Sequence, residues 1–261
     1  MGFRLGVLDP HRALTSLEPG DVALARLDVR EGLDGIERGT GELERLVAGG
    51  VDVLNPPAAL VMAHDKLLTA RTLRHAGLPH PHTTLLSPAL PAAVPGLPLV
   101  LKPRFGSWGR DVVLCRTADE VEDALAEVTR RSWFREHGVL AQEVVPPLGW
   151  DLRIVVAGGR VVGAARRTAG AGEWRTNVSL GGRSEAVDPP PLARTLALSA
   201  AAAVRGDLVG VDLLPTRAAF VISEINGAVD FRPQYAVDFT DVFTDAVLQL
   251  LRVAHARRAA A

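Results

Sequence analysis

The sequence contains only two lysines, and both lie where a mobile ammonium group could contact a phosphate. Of the 29 lysines and arginines, Lys66 and Lys102 are the lysines and the other 27 are arginines. With such a preference for arginine, a solvated surface lysine can become arginine at no physical cost. A position that stays lysine is therefore a candidate for chemistry that needs a compact, flexible ammonium rather than a planar guanidinium. Chance retention is the alternative.

A glycine-rich segment follows Lys102. Residues 106–110 read GSWGR and lie between two apolar runs, PLVLKP and DVVLCRT, that both favour strands. Glycine lets backbone N–H groups approach an anion closely, and Ser107 adds a hydroxyl donor. Neither a Walker A motif nor the Rossmann glycine pattern is present. The segment is therefore either an ordinary hairpin loop or a phosphate-binding lid formed by Gly106, Ser107 and Gly109.

Three oxygen-bearing side chains lie on two apolar segments in the last third of the chain. Glu224 and Asn226 are two residues apart in VISEIN, so a strand would place them on one face. Asp212 lies in GVDLL, which we predict to be the adjacent antiparallel strand. Two carboxylates and an amide oxygen, with no histidine or cysteine, suit Mg²⁺ better than zinc. The alternative is a solvated face of a half-buried sheet.

A basic cluster lies between these two regions, and its donors suit phosphate or carboxylate oxygens. Asp151 and Arg153 are two residues apart on a predicted strand and therefore share one face. The segment GEWRTNVSLGGRS is polar and glycine-rich, which favours a functional loop. The other members of the cluster are Arg166, Arg167, Arg175 and Asn177. A solvated arginine-rich surface is the alternative, since arginine is abundant throughout the chain.

Alternating strands and helices must position these groups, and the first part of the chain reads as a small α/β unit. Apolar patterns predict strands at 3–8, 21–29 and 51–54 and helices at 40–50 and 63–78. The second helix would carry Lys66 in its first turns. His80 and His82 have no acidic or cysteine partner nearby, so we interpret them as part of a turn rather than as a metal pair. Residues 85–98 are rich in proline and alanine and read as a connector.

The second part of the chain continues with the two strands that flank the glycine-rich segment. It then reads as a helix at 118–134, a strand at 138–145, a hairpin at 150–168, a helix at 190–206, a strand pair at 207–227 and a helix at 237–258. The hairpin would turn at Gly158-Gly159, a two-residue turn signal.

The composition excludes several classes of function. At 261 residues, with 48% hydrophobic and 23% charged side chains, the chain resembles a soluble globular protein of one to three domains. A net charge of −1 provides no field to attract nucleic acid or an anionic membrane. We find no apolar run long enough to span a bilayer and no signal peptide. The single cysteine, Cys115, excludes an intrachain disulfide and fits the cytoplasm.

Seven segments together resemble the ATP-grasp superfamily and, within it, the RimK-type amino-acid ligases. They are NPPAALVMAHDK, LVLKPRFGSWGRDV, QEVV, WDLRIVV, RRTAGAGEWRTN, GVDLL and SEIN, and the resemblance covers residues 55 to about 255. Each is weak alone, whereas seven in order at family-like spacing are specific. The resemblance implies an α/β (α+β) ATP-grasp fold. Its parts would be a small N-terminal α/β domain (1–82), a small subdomain with a glycine-rich lid (83–145) and a C-terminal subdomain with the metal site (146–261).

The resemblance also implies a role for each residue introduced above. Lys66 and Lys102 would bind the ATP phosphates beneath the lid of Gly106, Ser107 and Gly109. The remaining nucleotide contacts would be the hinge residues Gln142, Glu143 and Val145, together with Asp151, Arg175 and Asn177. The catalytic set would be Arg153, Arg167, Arg175 and Asn177, at the phosphate and substrate end. Asp212, Glu224 and Asn226 would hold Mg²⁺, two ions in all, with Mn²⁺ as an alternative.

The implied reaction is ATP-dependent ligation of a carboxylate to an amine. The carboxylate attacks the γ-phosphate and forms an acyl phosphate, and the amine then displaces phosphate to leave an amide or peptide bond. Metal, lysine and arginine would stabilise the charge that develops, and a closed lid would exclude water. The substrates would be an amino acid such as glutamate and a carboxylate acceptor, which is a small molecule, a peptide or a carrier protein.

After Asn226 the sequence departs from the RimK ribosomal-protein modifiers. Those enzymes typically continue Ala/Ser-Ser-Pro-Gly, whereas this chain continues GAVDFR. The pattern is nearer the LysX-type branch, whose members join an amino acid to an acidic carrier-protein tail. The acceptor therefore stays open, with Asp230, Phe231 and Arg232 as candidates to touch it. Trp108 would either stack on a substrate or only close the lid.

Two other functions remain compatible with the sequence. A small-molecule kinase on the same fold would stop at a stable phosphorylated product, with the same lid and metal site. A non-catalytic nucleotide-binding module is the other alternative, but a decayed site would be expected to lose some of the lysines and metal ligands. The resemblance also leaves a homo-oligomer open, and the sequence identifies no interface.

Overall fold

The computed structural model describes residues 6–87, 94–236 and 241–260, and within them the chain has the expected mixed α/β architecture. The helices are α1 (Pro10–Ser16), α2 (Thr40–Ala48), α3 (Pro57–His64), α4 (Lys66–His75), α5 (Ala118–Val128), α6 (Ser132–His137), α7 (Pro191–Val204) and α8 (Val242–Ala260). The strands are β1 (Val22–Leu24), β2 (Asp52–Leu54), β3 (Thr83–Leu86), β4 (Leu99–Pro103), β5 (Val113–Cys115), β6 (Val139–Glu143), β7 (Trp150–Ala157), β8 (Arg160–Thr168), β9 (Arg183–Ala186), β10 (Leu208–Pro215) and β11 (Phe220–Asn226).

The strands form three sheets. Strands β1 and β2 make a small parallel pair near the N-terminus. A four-stranded antiparallel sheet has the order β3-β6-β4-β5, and a five-stranded antiparallel sheet has the order β11-β10-β7-β8-β9. Each sheet lies within one of the three predicted domain ranges. The domain boundaries themselves stay a prediction.

The five-stranded sheet is apolar on both faces because a helix packs against each. Leu152 and Ile154 of β7 join a buried cluster with α7, which contributes a run of small apolar side chains. Val155 of β7 points to the opposite face and packs in a cluster with Val242 and Leu250 of α8. This alternation follows from the two-residue period of a strand. The sheet is therefore a rigid support for polar side chains at its edges and ends.

The predicted helix at 63–78 is wrong as a single element, because the chain breaks at Asp65. This residue has an extended conformation, and its carboxylate accepts hydrogen bonds from the backbone N–H groups of Leu67 and Leu68. It caps the N-terminus of α4 in the usual way for aspartate. Arg104 fixes the carboxylate with bonds of 2.8 and 2.5 Å. The break places Lys66 at the first position of α4, facing the strand that carries Lys102.

Other differences lie at short elements. The predicted helix at 118–134 is two helices, α5 and α6, and the predicted strand at 21–29 is reduced to β1. Residues 6–8 of the predicted strand at 3–8 are not in a strand, and α1 follows instead; the rest of that prediction, like residues 237–240, lies outside the described residues. Strands β3 and β9 were not predicted. No helix in the described part of the chain combines the length and the apolar composition needed to cross a bilayer.

Candidate active site

A cleft of about 420 Å³ lies between the four-stranded and the five-stranded sheet. One wall carries Lys102 on β4 and Gln142 on β6, and the other carries the polar ends of β7, β8, β10 and β11. Every residue that the sequence predicted to bind nucleotide or metal, or to act in catalysis, lines this cleft. The fold therefore brings together segments that are up to 160 residues apart in the chain, from Lys66 to Asn226.

Lys102 is a buried cation in the floor of the cleft. Only 8% of the residue is exposed, and its Nζ donates to Oε1 of Gln142 at 2.8 Å. Burial lowers the pKa of Lys102 to about 8, because removal from water disfavours the charged form. An ammonium held this way would gain strongly from an anion placed beside it.

Lys66 lies across the cleft from Lys102, at the N-terminus of α4. Its Nζ donates to the backbone carbonyl of Gly106 at 2.6 Å and forms an ion pair with Glu224. Burial would raise the pKa of Glu224, but Lys66 outweighs burial and holds that pKa below its ordinary value. The ion pair thus links α4, the lid and β11.

The three predicted metal ligands lie side by side, as the strand pairing requires. Asp212 on β10 is directly opposite Glu224 on β11, and Nδ2 of Asn226 is 3.5 Å from Asp212. Asp212 is also opposite Arg153 on β7, and the guanidinium binds both of its carboxylate oxygens at 2.8 and 2.7 Å. Arg167 adds a contact at 3.0 Å. Burial would raise the pKa of Asp212, but the two arginines outweigh it and lower that pKa well below its ordinary value.

These donors fit a hard divalent cation. Asp212 and Glu224 offer carboxylate oxygens from adjacent strands, and a carboxylate has lone pairs to spare beyond one bidentate arginine. In the described residues there is no group of three or more His, Cys, Asp and Glu side chains placed to hold a metal. A cation at this position would therefore have two carboxylates and the amide oxygen of Asn226 as ligands, a set that leaves coordination positions for phosphate oxygens and water.

Asp151 and Arg167 form a second cross-strand pair, opposite each other on β7 and β8. The guanidinium contacts both carboxylate oxygens at 2.8 and 2.5 Å, and Thr176 donates to the same carboxylate at 2.6 Å. Both charged residues are buried, at 4% and 5% exposed. Asp151 therefore joins the loop after β8 to the sheet and fixes the direction of Arg167. Arg166, by contrast, stacks on the ring of Trp150, 4.4 Å away, and does not line the cleft.

The glycine-rich lid is held against the loop after β8. Arg175 donates to the carbonyl of Gly109 at 2.9 Å, and Glu173 holds Arg175 with bonds of 3.0 and 2.7 Å. These bonds to Arg175 lower the pKa of Glu173 to about 2. Gly109 has a φ of +70°, and a Cβ at this position would lie 3.0 Å from Oδ1 of Asn177. The glycine-rich lid and the loop after β8 are thus held against each other, and Trp108 at the tip of the lid is 55% exposed.

Sequence reasoning missed several side chains that support the site. Glu173 was not singled out, although it lies two residues before Arg175, and His80 was interpreted as part of a turn. His80 lies in the segment between α4 and β3, and its ring contacts Gln142 and the backbone of β11. The side chain of Gln142 itself contacts Lys102, while Glu143 and Val145 lie along the rim predicted to hold adenine. No local pattern in the sequence indicates the contacts of His80 and Gln142, because they join distant segments, whereas the short spacing of Glu173 and Arg175 could have indicated their ion pair.

Comparisons with known proteins agree with this geometry. A model of the RimK-like ATP-grasp domain matches residues 63–243. A protein named "Probable alpha-L-glutamate ligase" from Parasynechococcus marenigrum is 35% identical over 187 residues, which are 69% of this chain and 39% of that protein. The glutamate–LysW ligase ArgX of Sulfurisphaera tokodaii is 30% identical over 195 residues, 72% of this chain and 68% of that protein. The chain thus spans about two fifths of the first relative's length and about two thirds of the second's.

Solved structures show the same fold. The D-alanine–D-alanine ligase of Bacillus anthracis, complexed with ATP, superposes with a TM-score of 0.68 at 19% identity, covering 91% of this chain and 81% of that one. The predicted ATP-grasp architecture is therefore confirmed at the level of the fold. Since the family model spans more than half of the chain, this protein belongs to the RimK-like ATP-grasp ligase family.

Proposed function

We propose that the protein is an ATP-dependent ligase that joins a carboxylate to an amine through an acyl phosphate. The observation that carries the proposal is the convergence, in one cleft, of two lysines, a closed glycine lid and paired oxygen ligands. Membership of an ATP-grasp family implies that ATP and a divalent metal are used. The residues that contact them, and the division of the chain at 82 and 145, are part of the proposal.

Lys66 and Lys102 would hold the phosphates from opposite sides. The adenine would lie against the rim formed by Glu143 and Val145. Ser107 of the lid and Arg175 would cover the transferred phosphate, and their contact with the loop after β8 would exclude water from the acyl phosphate. Fixed cations around a phosphate that is being transferred stabilise its charge without reorganisation.

We propose Mg²⁺ as the metal, held by Asp212, Glu224 and Asn226, because all three ligands are hard oxygens. The metal would neutralise phosphate oxygens and make the γ-phosphate a better electrophile. Arg153 and Arg167 already contact Asp212, so they would lie at the edge of the phosphate site and could stabilise the acyl phosphate.

For the substrates, we propose an amino acid such as glutamate and a carboxylate on a small molecule, peptide or carrier protein. The support is the naming of two relatives as glutamate ligases, one acting on LysW, and the charge at the open end of the cleft. Arg26 and Asp28 come from the N-terminal unit, and Asp230 and Arg232 follow Asn226. Both arginines are 59% exposed at the side chain, so their donors can reach a second carboxylate. The buried single cysteine is compatible with the reducing cytoplasm, where we place the reaction.

The first experiment is a screen for ADP release with Mg²⁺-ATP and the amino acids singly and in pairs, with glutamate and acidic peptides included. Turnover should need both an amine and a carboxylate and should vanish in Lys102→Ala. Hydroxylamine should trap a hydroxamate, because only an acyl phosphate reacts with it. Turnover of a hydroxyl substrate, with no hydroxamate, would instead identify a kinase.

A further inference from the structure

We propose that His80 is a positioning residue, which orients the phosphate-binding Lys102 through the side chain of Gln142. The proposal rests on the function proposed above, because it takes Lys102 to bind the nucleotide. His80 lies in the segment between α4 and β3, and its ring contacts one strand of each of the two large sheets. One ring nitrogen contacts Ile222 on β11 and the other contacts Gln142 on β6.

The proton on the ring of His80 has a defined position. Its Nδ1 lies 2.7 Å from the carbonyl oxygen of Ile222, which can only accept, so Nδ1 carries the hydrogen. Burial, reinforced by the nearby charge of Lys102, lowers the pKa of His80 to about 4. The ring is therefore neutral at pH 7, and its Nε2 is an acceptor without a proton.

This acceptor fixes the direction of the Gln142 amide. The amide nitrogen lies 3.3 Å from Nε2 of His80 and donates to Oγ1 of Thr83 at 2.8 Å, while the amide oxygen accepts from Lys102 at 2.8 Å. A reversed amide would place its oxygen against the bare Nε2 and its NH₂ group against an ammonium. Thr83 supports the same direction, because its hydroxyl donates to the carbonyl of Pro81 at 2.9 Å and can therefore only accept from Gln142. His80 adds a second acceptor beside the amide nitrogen, and it makes the reversed state less favourable than Thr83 and Lys102 alone would make it.

The direction of the amide matters because Lys102 is buried. Besides His80, the charged groups that face Lys102 are Glu224 on β11, which favours the ammonium form, and Lys66 on α4, which disfavours it. The oxygen of Gln142 also stabilises the ammonium, whereas a reversed amide would present a donor to it. Loss of the acceptor on His80 should therefore weaken phosphate binding, and most strongly at alkaline pH, where Lys102 loses its proton.

Two substitutions separate this role from a merely structural one. His80→Asn keeps a donor near the position of Nδ1, and so keeps the bond to Ile222, but it cannot reach Gln142. His80→Gln reaches Gln142 and can present its amide oxygen there. His82→Asn is the matched control, because His82 lies in the same segment and is exposed.

The measurement is the Kd of the Mg²⁺ complex of a non-hydrolysable ATP analogue, from about pH 6.5 to about pH 9.5. We expect His80→Asn to bind about tenfold more weakly at neutral pH, the usual effect of losing a hydrogen bond to a charged group. Its alkaline loss of affinity should begin about one pH unit lower. His80→Gln and His82→Asn should stay within about twofold of wild type. Adenosine, which lacks phosphate, should bind equally to all four proteins.

The positioning role would be overturned if His80→Asn and His80→Gln lost equal affinity for the analogue. It would also be overturned if the affinity of His80→Asn fell at the same alkaline pH as that of wild type. In both cases, binding by the wild type would leave the proposed function standing. Failure of the wild type to bind the nucleotide would overturn both. A second measurement does not depend on the folding of any variant. The ¹⁵N spectrum of the wild-type histidines at pH 7 should show His80 protonated at Nδ1, and the opposite tautomer would contradict the proposal.

Discussion

Replacing Lys102 with methionine should make the protein more stable while abolishing nucleotide binding. The side chains have similar volumes, so packing is largely kept. Burial lowers the pKa of Lys102 from 10.5 to about 8. Each tenfold loss of proton affinity corresponds to about 1.4 kcal/mol, so the buried ammonium costs about 3 kcal/mol at pH 7. The substitution also leaves the oxygen of Gln142 without its donor, which costs about 1 kcal/mol. The expected net gain is about 2 kcal/mol, measured by urea unfolding.

Lys66→Met is the matched control, since it removes the other lysine of the same cleft. Lys66 pairs with Glu224, and the two side chains are 12% and 27% exposed. Removing the lysine leaves a largely buried carboxylate without its partner, so we expect a loss of about 1–3 kcal/mol, reduced by the remaining contact with solvent. Two lysine-to-methionine changes in one site should thus shift stability in opposite directions, and both should abolish nucleotide binding.

The pH dependence tests the reason for the gain. A folded-state pKa of about 8 lies below the ordinary 10.5, so the unfolded chain binds more protons between these values and wild-type stability rises with pH across that window. The advantage of Lys102→Met should therefore be constant below about pH 8 and disappear as the pH approaches 10.5. If the variant is no more stable at pH 7, or if its advantage does not shrink with pH, the burial cost assigned to Lys102 is wrong.

Three further substitutions test the lid and the carboxylate pair. Gly109→Ala should lower kcat/KM for ATP about tenfold, because alanine is strained at a φ of +70° and its Cβ meets the facing loop; unchanged kinetics would contradict a closed lid. Glu173→Gln should release Arg175 and accelerate trypsin cleavage in the lid at neutral pH, and cleavage at the wild-type rate would show that Glu173 does not hold the lid. Arg153→Met should tighten binding of Mn²⁺ without nucleotide several-fold, because it removes the two-point contact with Asp212 and leaves only Arg167 on that carboxylate, and calorimetry showing no change would argue against metal binding there.

The elements that could be predicted from the sequence are those with local signals. The hairpin of β7 and β8 has alternating apolar residues and a Gly-Gly turn, and the strand pair of β10 and β11 has two apolar runs at the right separation. The break before α4 also had a local signal, since Asp65 is a good N-cap residue. The apolar spacing continues across Asp65, however, and this spacing alone predicts one uninterrupted helix.

The ion pairs could not be predicted, because they depend on register between distant strands. Arg153 and Asp212 are 59 residues apart in the chain and meet only because β7 pairs with β10 in one register. A shift of one residue in one of these strands would place the two side chains on opposite faces of the sheet. Strand β3 was missed for a similar reason, since its pairing with β6 joins residues about 55 positions apart, such as Leu85 and Leu140.

These ion pairs also predict how metal and nucleotide bind together. Lys66 contacts Glu224, and Arg153 contacts Asp212, so two of the cations that we propose to act on phosphate are each paired with a proposed metal ligand. A metal alone would take the carboxylates and leave buried cations unpaired, and a nucleotide alone would take the cations and leave buried carboxylates unpaired. Each of these states carries the cost of an uncompensated buried charge. When metal and nucleotide bind together, the carboxylates pair with the metal and the cations pair with the phosphates, so no buried charge is left unpaired.

Metal and nucleotide should therefore bind cooperatively, each tightening the other by about tenfold or more. Calorimetric titration of the ATP analogue with and without Mn²⁺, and of Mn²⁺ with and without the analogue, measures both factors after correction for the complex formed in solution. The two factors must be equal by linkage, and Lys66→Met should reduce both, because it removes one of the exchanged partners. If metal and nucleotide bound independently in the wild type, the ion pairs between the carboxylates and the cations would not couple the two ligands.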